Sequence, residues 1–109
     1  MTKETDSFLR LLRELQKIDA EFPLQYAVCL TEISLNEGIS LTALSKKSGM
    51  ALSTVSRITG ALSQHRQKGR PYGLIKVTIS PEERRRKELS LTAKGHAVMN
   101  NIADIIAKA

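Results

Sequence analysis

The chain of 109 residues has 41% hydrophobic and 26% charged residues, which predicts a single domain with a modest core rather than a disordered protein. It contains no apolar run of 18 residues and no visible secretory signal, so we expect a cytoplasmic protein that does not enter a membrane. One cysteine and two histidines exclude an internal disulfide and predict neither a structural metal nor a cofactor.

Helical periodicity predicts two helices in the first third of the chain. The first covers about residues 5–20, and the second begins near Pro23 and ends at Gly38, a residue suited to a left-handed stop. Cys29 lies in this second, apolar helix and is interpreted as a buried small hydrophobe rather than a redox sensor. The apolar stripe of the first helix consists of Phe8, Leu11, Leu12, Leu15 and Ile18, followed by Phe22.

Two shorter helices follow. Ser40 is a suitable N-cap for LTALSKKS, and Gly49 ends that helix. The next helix is predicted over residues 51–66, with Ala51 at a position where a Ser or Thr cap is more usual. Its apolar face holds Val55, Ile58, Ala61 and Leu62, and its outer face holds Ser53, Ser56, Arg57 and Gly60.

The hydrophobic period then changes from helical to alternating. The basic stretch HRQKGRPYG predicts a loop because glycine and proline interrupt it. Two strands joined by a long turn are predicted next, and Thr92 caps a fifth helix over residues 92–108. The alternating residues are Ile75, Val77 and Ile79 in one strand and Leu89 and Leu91 in the other, and the last helix carries Val98, Ile102, Ile105 and Ile106.

This order of elements predicts a winged helix-turn-helix, mainly α with a small β hairpin: five helices and a two-stranded wing in one domain, residues 1–109. A helix-turn-helix needs a small residue where its helices meet, a glycine in the turn and an aliphatic anchor beyond it. Ser45, Gly49 and Val55 have this spacing. Leu44 and Ile58 supply the flanking core contacts.

The sequence resembles the MarR family of winged-helix regulators from about Leu24 to Ile102. The resemblance rests on LTALSKKSGMALSTVSRITGAL, on Gly-Leu-Ile at residues 73–75 and on PEERRRKELSLTAKG. It implies a wing with an acidic residue and an arginine two positions later, then a Leu-Thr that opens a helix with a glycine three residues on. It also implies a short member that lacks the usual last helix, and it leaves open whether a small-molecule effector binds. The matching residues are Glu83, Arg85, Leu91, Thr92 and Gly95.

Positive charge is concentrated in this region. Residues 46–87 carry 11 Lys/Arg and 2 Asp/Glu, whereas residues 1–45 carry 4 and 7. Such a block is typical of a nucleic-acid-binding surface, although an anionic membrane or an acidic protein also fits. Alone, the RRRK run would be a solvated face; between two strands it is interpreted as a wing tip, residues 80–88, for the minor groove. The candidate DNA-binding residues are Lys46, Lys47, Ser53, Thr54, Ser56, Arg57, Arg70, Lys76, Arg84, Arg85, Arg86 and Lys87.

The sequence therefore predicts a sequence-specific regulator of transcription that binds double-stranded DNA, acts as a repressor and forms a homodimer. Helices 5–20 and 92–108 are the predicted dimerisation elements, and helix 51–66 would enter the major groove. Two alternatives remain: a replication or partition adaptor of a plasmid or phage, and a winged helix used for protein contact. No catalytic constellation is visible, so an enzyme is not expected.

Overall fold

The structure is a computed structural model that describes residues 2–64, 70–83 and 86–109. These residues form five helices and a three-stranded antiparallel sheet of order β1-β3-β2. The predicted winged helix-turn-helix fold is confirmed. The elements are α1 (Thr2–Ile18), α2 (Leu24–Leu35), β1 (Ile39–Ser40), α3 (Leu41–Ser48), α4 (Leu52–Leu62), β2 (Ile75–Ile79), β3 (Lys87–Leu91) and α5 (Ala93–Ala107).

The prediction of a two-stranded wing was wrong, because β1 adds a third strand to the sheet. In β1, Ile39 pairs with Leu89 and Ser40 pairs with Glu88. Two residues are too few to show an alternating pattern, so this strand is defined by its pairing with β3 rather than by its own sequence. It anchors the wing directly to the start of α3.

The predicted helix ends at Ser40, Gly49 and Thr92 are confirmed. The Ser40 hydroxyl accepts the N–H of Ala43 at 3.1 Å, and the Thr92 hydroxyl accepts the N–H of Gly95 at 3.1 Å. Gly49 follows α3 with φ of 73°, in the left-handed region that favours glycine. Each side-chain cap satisfies a backbone donor that the first helical turn leaves without a partner.

The fourth helix ends earlier than predicted. It was expected to reach residue 66, but α4 stops at Leu62 with Ser63 as its C-cap. The reason is that the segment before β2 uses the helix's last carbonyls: the N–H of Tyr72 donates to Ala61, and that of Leu74 donates to Leu62 at 2.8 Å. Residues 65 and 66 lie outside the described residues.

The core lies between α2, α3, α4 and the sheet. It is built mainly from aliphatic side chains, including the predicted anchor Val55 and the predicted flanking residues Leu44 and Ile58. Of the alternating residues predicted in β2 only Ile75 is buried, whereas Val77 and Ile79 are exposed. Burial of this apolar surface is the main stabilising contribution to the fold. The fully buried large side chains are Leu30, Ile33, Leu44, Ile58, Leu62, Leu74, Ile75, Leu89, Val55 and Cys29.

The first helix is largely outside this core. α1 packs against α5, and Leu11, Leu15 and Ile18 are half-buried. Phe8 and Leu12, which the periodicity assigned to the same apolar stripe, are 61% and 37% exposed. The amphipathic pattern of α1 is therefore only partly satisfied within one chain.

Candidate nucleic-acid interface

The turn between α3 and α4 is fixed by two serines. The Ser45 hydroxyl donates to the carbonyl oxygen of Met50 at 2.6 Å, which ties the last turn of α3 to the turn that leads into α4. The Ser48 hydroxyl accepts the N–H of Met50 at 3.3 Å. These bonds span the left-handed Gly49, so the angle between the two helices is defined by side chains as well as by the core. The small residue predicted at position 45 thus has a bonding role.

The fourth helix presents a polar face to solvent. Val55, Ile58 and Leu62 are fully buried and fix its orientation, so the opposite face must point outward. On that face Ser53, Ser56 and Arg57 are exposed, and the predicted Thr54 is half-buried. Ala51 is the N-cap and makes no side-chain cap bond, as the sequence indicated. A hydroxyl-rich helix face with one arginine matches the donors and acceptors of a major groove.

A groove separates the α3–α4 unit from the wing tip. Its volume is about 650 Å³, and we call it the α3–wing groove. It brings together four of the predicted site residues from three elements: Lys46 of α3, Ser56 of α4, and Arg86 and Lys87 of the wing. The remaining lining residues are Ser40, Leu41, Thr42, Ala43, Leu52 and Glu83.

The wing tip is closed by a buried serine. The Ser80 hydroxyl accepts the N–H groups of Glu82 and Glu83 at 3.3 Å each, and the N–H of Ser80 donates to the carbonyl of Arg86 at 2.8 Å. Ser80 is only 6% exposed, so it holds the turn from inside. The predicted Arg84 and Arg85 lie outside the described residues, as does any contact between Glu83 and Arg85.

Five exposed cations of this surface have no acidic partner among the described residues. Within residues 2–64, 70–83 and 86–109, no carboxylate lies within salt-bridge distance of Lys46, Lys47, Arg57, Arg86 or Lys87. Unpaired surface cations are free to contact phosphates and to release counterions from a polyanion. Lys47, Arg57, Arg70 and Lys76 are also exposed but do not line the α3–wing groove.

Sequence reasoning missed two residues of this surface. Leu52, the first residue of α4, is 50% exposed and lines the α3–wing groove. Thr42 lines the same groove from the first turn of α3. A signal for Leu52 was present, because it is an apolar residue that the predicted inward face of its helix does not include. For Thr42 no sequence signal distinguished it from an ordinary surface residue.

Membrane-spanning helices and metal-ligand clusters are absent from the part of the chain that the structure describes. No helix there is long and apolar enough to cross a membrane. The same residues contain no group of three or more His, Cys, Asp and Glu side chains placed to hold a metal ion.

These elements define a winged helix-turn-helix protein. Its α4 helix and its wing carry exposed cations that have no acidic partner among the described residues. A family model described as the IclR helix-turn-helix domain matches residues 33–67, which contain α3 and α4. No curated protein matches the sequence significantly. The chain has the fold of the MarR-family regulators, as the sequence motifs indicated.

Three solved structures illustrate the similarity. The S. aureus MepR–DNA complex matches with a TM-score of 0.79 and 17% identity, covering 96% of this chain and 79% of that chain. The crystal structure of MarR matches with a TM-score of 0.67 and 24% identity, covering 88% and 64%. The PcaV transcriptional regulator from Streptomyces coelicolor, in complex with its natural ligand, matches with a TM-score of 0.60 and 26% identity, covering 77% and 54%. This chain therefore spans only part of the length of each of these proteins.

Proposed function

We propose that this protein is a sequence-specific, double-stranded DNA-binding regulator of transcription that acts in the cytoplasm. One observation supports this most directly. The exposed face of α4 carries Ser53, Ser56 and Arg57, and it lies beside a groove whose flanks hold unpaired cations from α3 and the wing. With α4 in the major groove, its side chains meet base edges while Lys46 and Lys47 meet phosphates.

The wing supplies a second set of DNA contacts. Arg86 and Lys87 lie at the wing tip, with Lys87 as the first residue of β3 and Arg86 directly before it, and Arg84 and Arg85 belong to the same basic run. Arginine side chains suit the narrow, electronegative minor groove that flanks a bound half-site. Arg70, in the segment before β2, and Lys76, in β2 itself, add positive charge and are assigned to phosphates rather than to bases.

The active form is a homodimer. The partly unsatisfied apolar face of α1, with Phe8 at 61% and Leu9 at 48% exposure, suits burial against a second copy, and Ile106 of α5 is 60% exposed. Two copies related by a two-fold axis would place their α4 helices on half-sites about one helical turn apart. Occupation of a promoter by such a dimer blocks access of the polymerase, so its regulatory action is repression.

The test is binding to random-sequence duplex DNA at several salt concentrations. For wild type we expect log affinity to fall linearly with log salt, with a steep negative slope. Lys46→Ala and Arg86→Ala should each make the slope shallower by about one unit, because each removes one phosphate contact. Arg10→Ala removes the same charge from an exposed position on α1 and is the matched control, with no change of slope.

Selection of preferred sites from the same random pool then tests the regulatory assignment. Paired half-sites related by two-fold symmetry are expected of the dimeric regulator. The proposed function would be contradicted if wild type fails to bind DNA even at low salt. It would also be contradicted if wild type and all three variants show the same slope of log affinity against log salt.

A further inference from the structure

Leu52 is an apolar side chain in an unusual place. It is the first residue of α4 and is 50% exposed, whereas Val55, Ile58 and Leu62 of the same helix are fully buried. It does not cap the helix, because Ala51 occupies the N-cap position. Neither the core nor the capping of α4 therefore accounts for a leucine here.

The surroundings of Leu52 are those of the proposed DNA-binding surface. Leu52 lines the α3–wing groove together with Ser56, which lies one helical turn later on the same side of α4. Lys46 lines the groove from α3, and Arg86 lines it from the wing. A duplex whose phosphates meet these cations brings its base edges towards the N-terminal half of α4, where Leu52 lies.

The chemistry of base edges selects one partner for such a side chain. In the major groove, donors and acceptors cover the edges of all four base pairs, and the one apolar group is the C5 methyl of thymine. A leucine against a polar edge removes water from that edge without replacing the hydrogen bond, which is unfavourable. A leucine against the methyl buries apolar surface on both sides, which is favourable.

We propose that Leu52 is a specificity-determining residue that reads a thymine methyl group in the major groove. This inference rests on the proposed function and deepens it, since it names one base and the atom of that base that is recognised. The hydroxyls of Ser53 and Ser56 and the guanidinium of Arg57 can contact several bases, whereas Leu52 discriminates by a single methyl.

The experiment replaces thymine by uracil, which removes only that methyl group. A duplex selected by wild type is resynthesised with each thymine changed to uracil in turn, and the affinity of each duplex is measured. We expect wild type to lose about fourfold in affinity at one position in each half-site, the value of burying one methyl group. Leu52→Ala should bind the thymine and uracil duplexes equally at that position and should keep the wild-type salt slope.

Leu35→Ala is the matched control. Leu35 lies at the end of α2, is 72% exposed and does not line the α3–wing groove, so this variant should retain the wild-type discrimination. Circular dichroism and denaturant unfolding check that both variants are folded.

The outcomes separate this inference from the proposed function. If wild type binds no DNA, both are overturned. If wild type binds DNA with the expected salt slope but selects no sequence, the sequence specificity of the proposed function is overturned together with the assignment of Leu52. If wild type selects a site but no thymine-to-uracil change weakens its binding, or if Leu52→Ala discriminates uracil as strongly as wild type does, only the assignment of Leu52 is overturned.

Discussion

The Glu37 carboxylate accepts the backbone N–H of Leu91 at 2.8 Å, across 54 positions of the sequence. Glu37 lies in the turn between α2 and β1, and Leu91 is the last residue of β3. The neighbouring bond of the β1–β3 pair runs from the N–H of Gly38 to the carbonyl of Leu89 at 2.8 Å. Glu37 thus extends the strand pairing with a side chain and ties the base of the wing to α2.

Loss of this acceptor should destabilise the protein. Glu37→Ala leaves the part-buried N–H of Leu91 without its partner, and we expect the free energy of unfolding to fall by about 1–2 kcal/mol. Glu37→Gln keeps a side-chain oxygen and should lose less. Denaturant unfolding measures both, with the exposed Glu21→Ala as the control. Equal stability of Glu37→Ala and wild type would show that this bond contributes nothing.

A second prediction concerns Gly95 in the first turn of α5. A Cβ at this position would collide with the carbonyl oxygen of Leu74 and lie 3.1 Å from its carbonyl carbon. Gly95→Ala should therefore lower the free energy of unfolding by about 1–3 kcal/mol, as overpacking does. The sign of this change in unfolding free energy distinguishes a collision from a propensity effect, because helix propensity alone would favour alanine by about 1 kcal/mol.

The control for Gly95→Ala is Asn100→Ala, at an exposed position of the same helix. There the change should be neutral or slightly stabilising, since no collision opposes the better helix former. A stabilised Gly95→Ala protein, measured by the same denaturant titration, would contradict the close packing of α5 on the segment before β2.

The packing at Gly95 also explains why two motifs that lie far apart in the sequence belong to one structural feature. The Thr92 hydroxyl donates to the carbonyl of Gly73 at 2.7 Å, and the N–H of Thr92 donates to that of Leu74 at 3.0 Å. The Gly-Leu-Ile segment and the Leu-Thr with its later glycine are thus two sides of one contact. Caps such as Ser40 and Thr92 were predictable because their chemistry is local.

Features that depend on distant partners were not predictable. β1 exists because Ile39 and Ser40 meet β3, and α4 ends at Leu62 because Tyr72 and Leu74 use its last carbonyls. The candidate site likewise has one part that the local sequence predicts and another that depends on distant residues. The exposure of Ser56 and Arg57 followed from the periodicity of α4, whereas the groove that places Ser56 beside Lys46 and Arg86 required the three-dimensional arrangement of α3 and the wing.

A third prediction concerns the thiol of Cys29. Burial raises its pKa from the ordinary 9.0 to about 11, and the neighbouring Glu32 carboxylate adds to the rise. The folded chain therefore keeps the thiol proton at pH values where the unfolded chain has lost it. The stability that this provides is fully present below pH 9 and is lost as the pH rises towards 11.

Two measurements check the state of Cys29. A thiol reagent at pH 8 should modify the denatured protein rapidly and the native protein only at the rate of unfolding, because the native thiol is fully buried. The stability of wild type relative to Cys29→Ala should fall as the pH is raised from 9 to 11. Rapid modification of the native protein would instead identify a reactive, accessible thiol and contradict the interpretation of Cys29 as a packed hydrophobe.

The proposed dimer makes a fourth prediction, which concerns the exposed face of α1. Phe8 is 61% exposed, although the periodicity of α1 places it on the same stripe as the half-buried Leu11 and Leu15. If a second copy covers this stripe, Phe8→Glu puts a charge into an apolar contact and also removes an apolar side chain worth about 1.5–3 kcal/mol when buried. We expect the dimer dissociation constant to rise by at least tenfold, as measured by sedimentation equilibrium.

Leu35→Glu is the matched control for this change, since Leu35 is 72% exposed at the end of α2 and belongs to neither α1 nor α5. That variant should dimerise as wild type does. A dimer that is unaffected by Phe8→Glu would assign the contact to another face. A wild-type protein that stays monomeric while binding DNA would remove α1 and α5 from a dimerisation role, and would leave the two-fold spacing of half-sites without a structural basis in this chain.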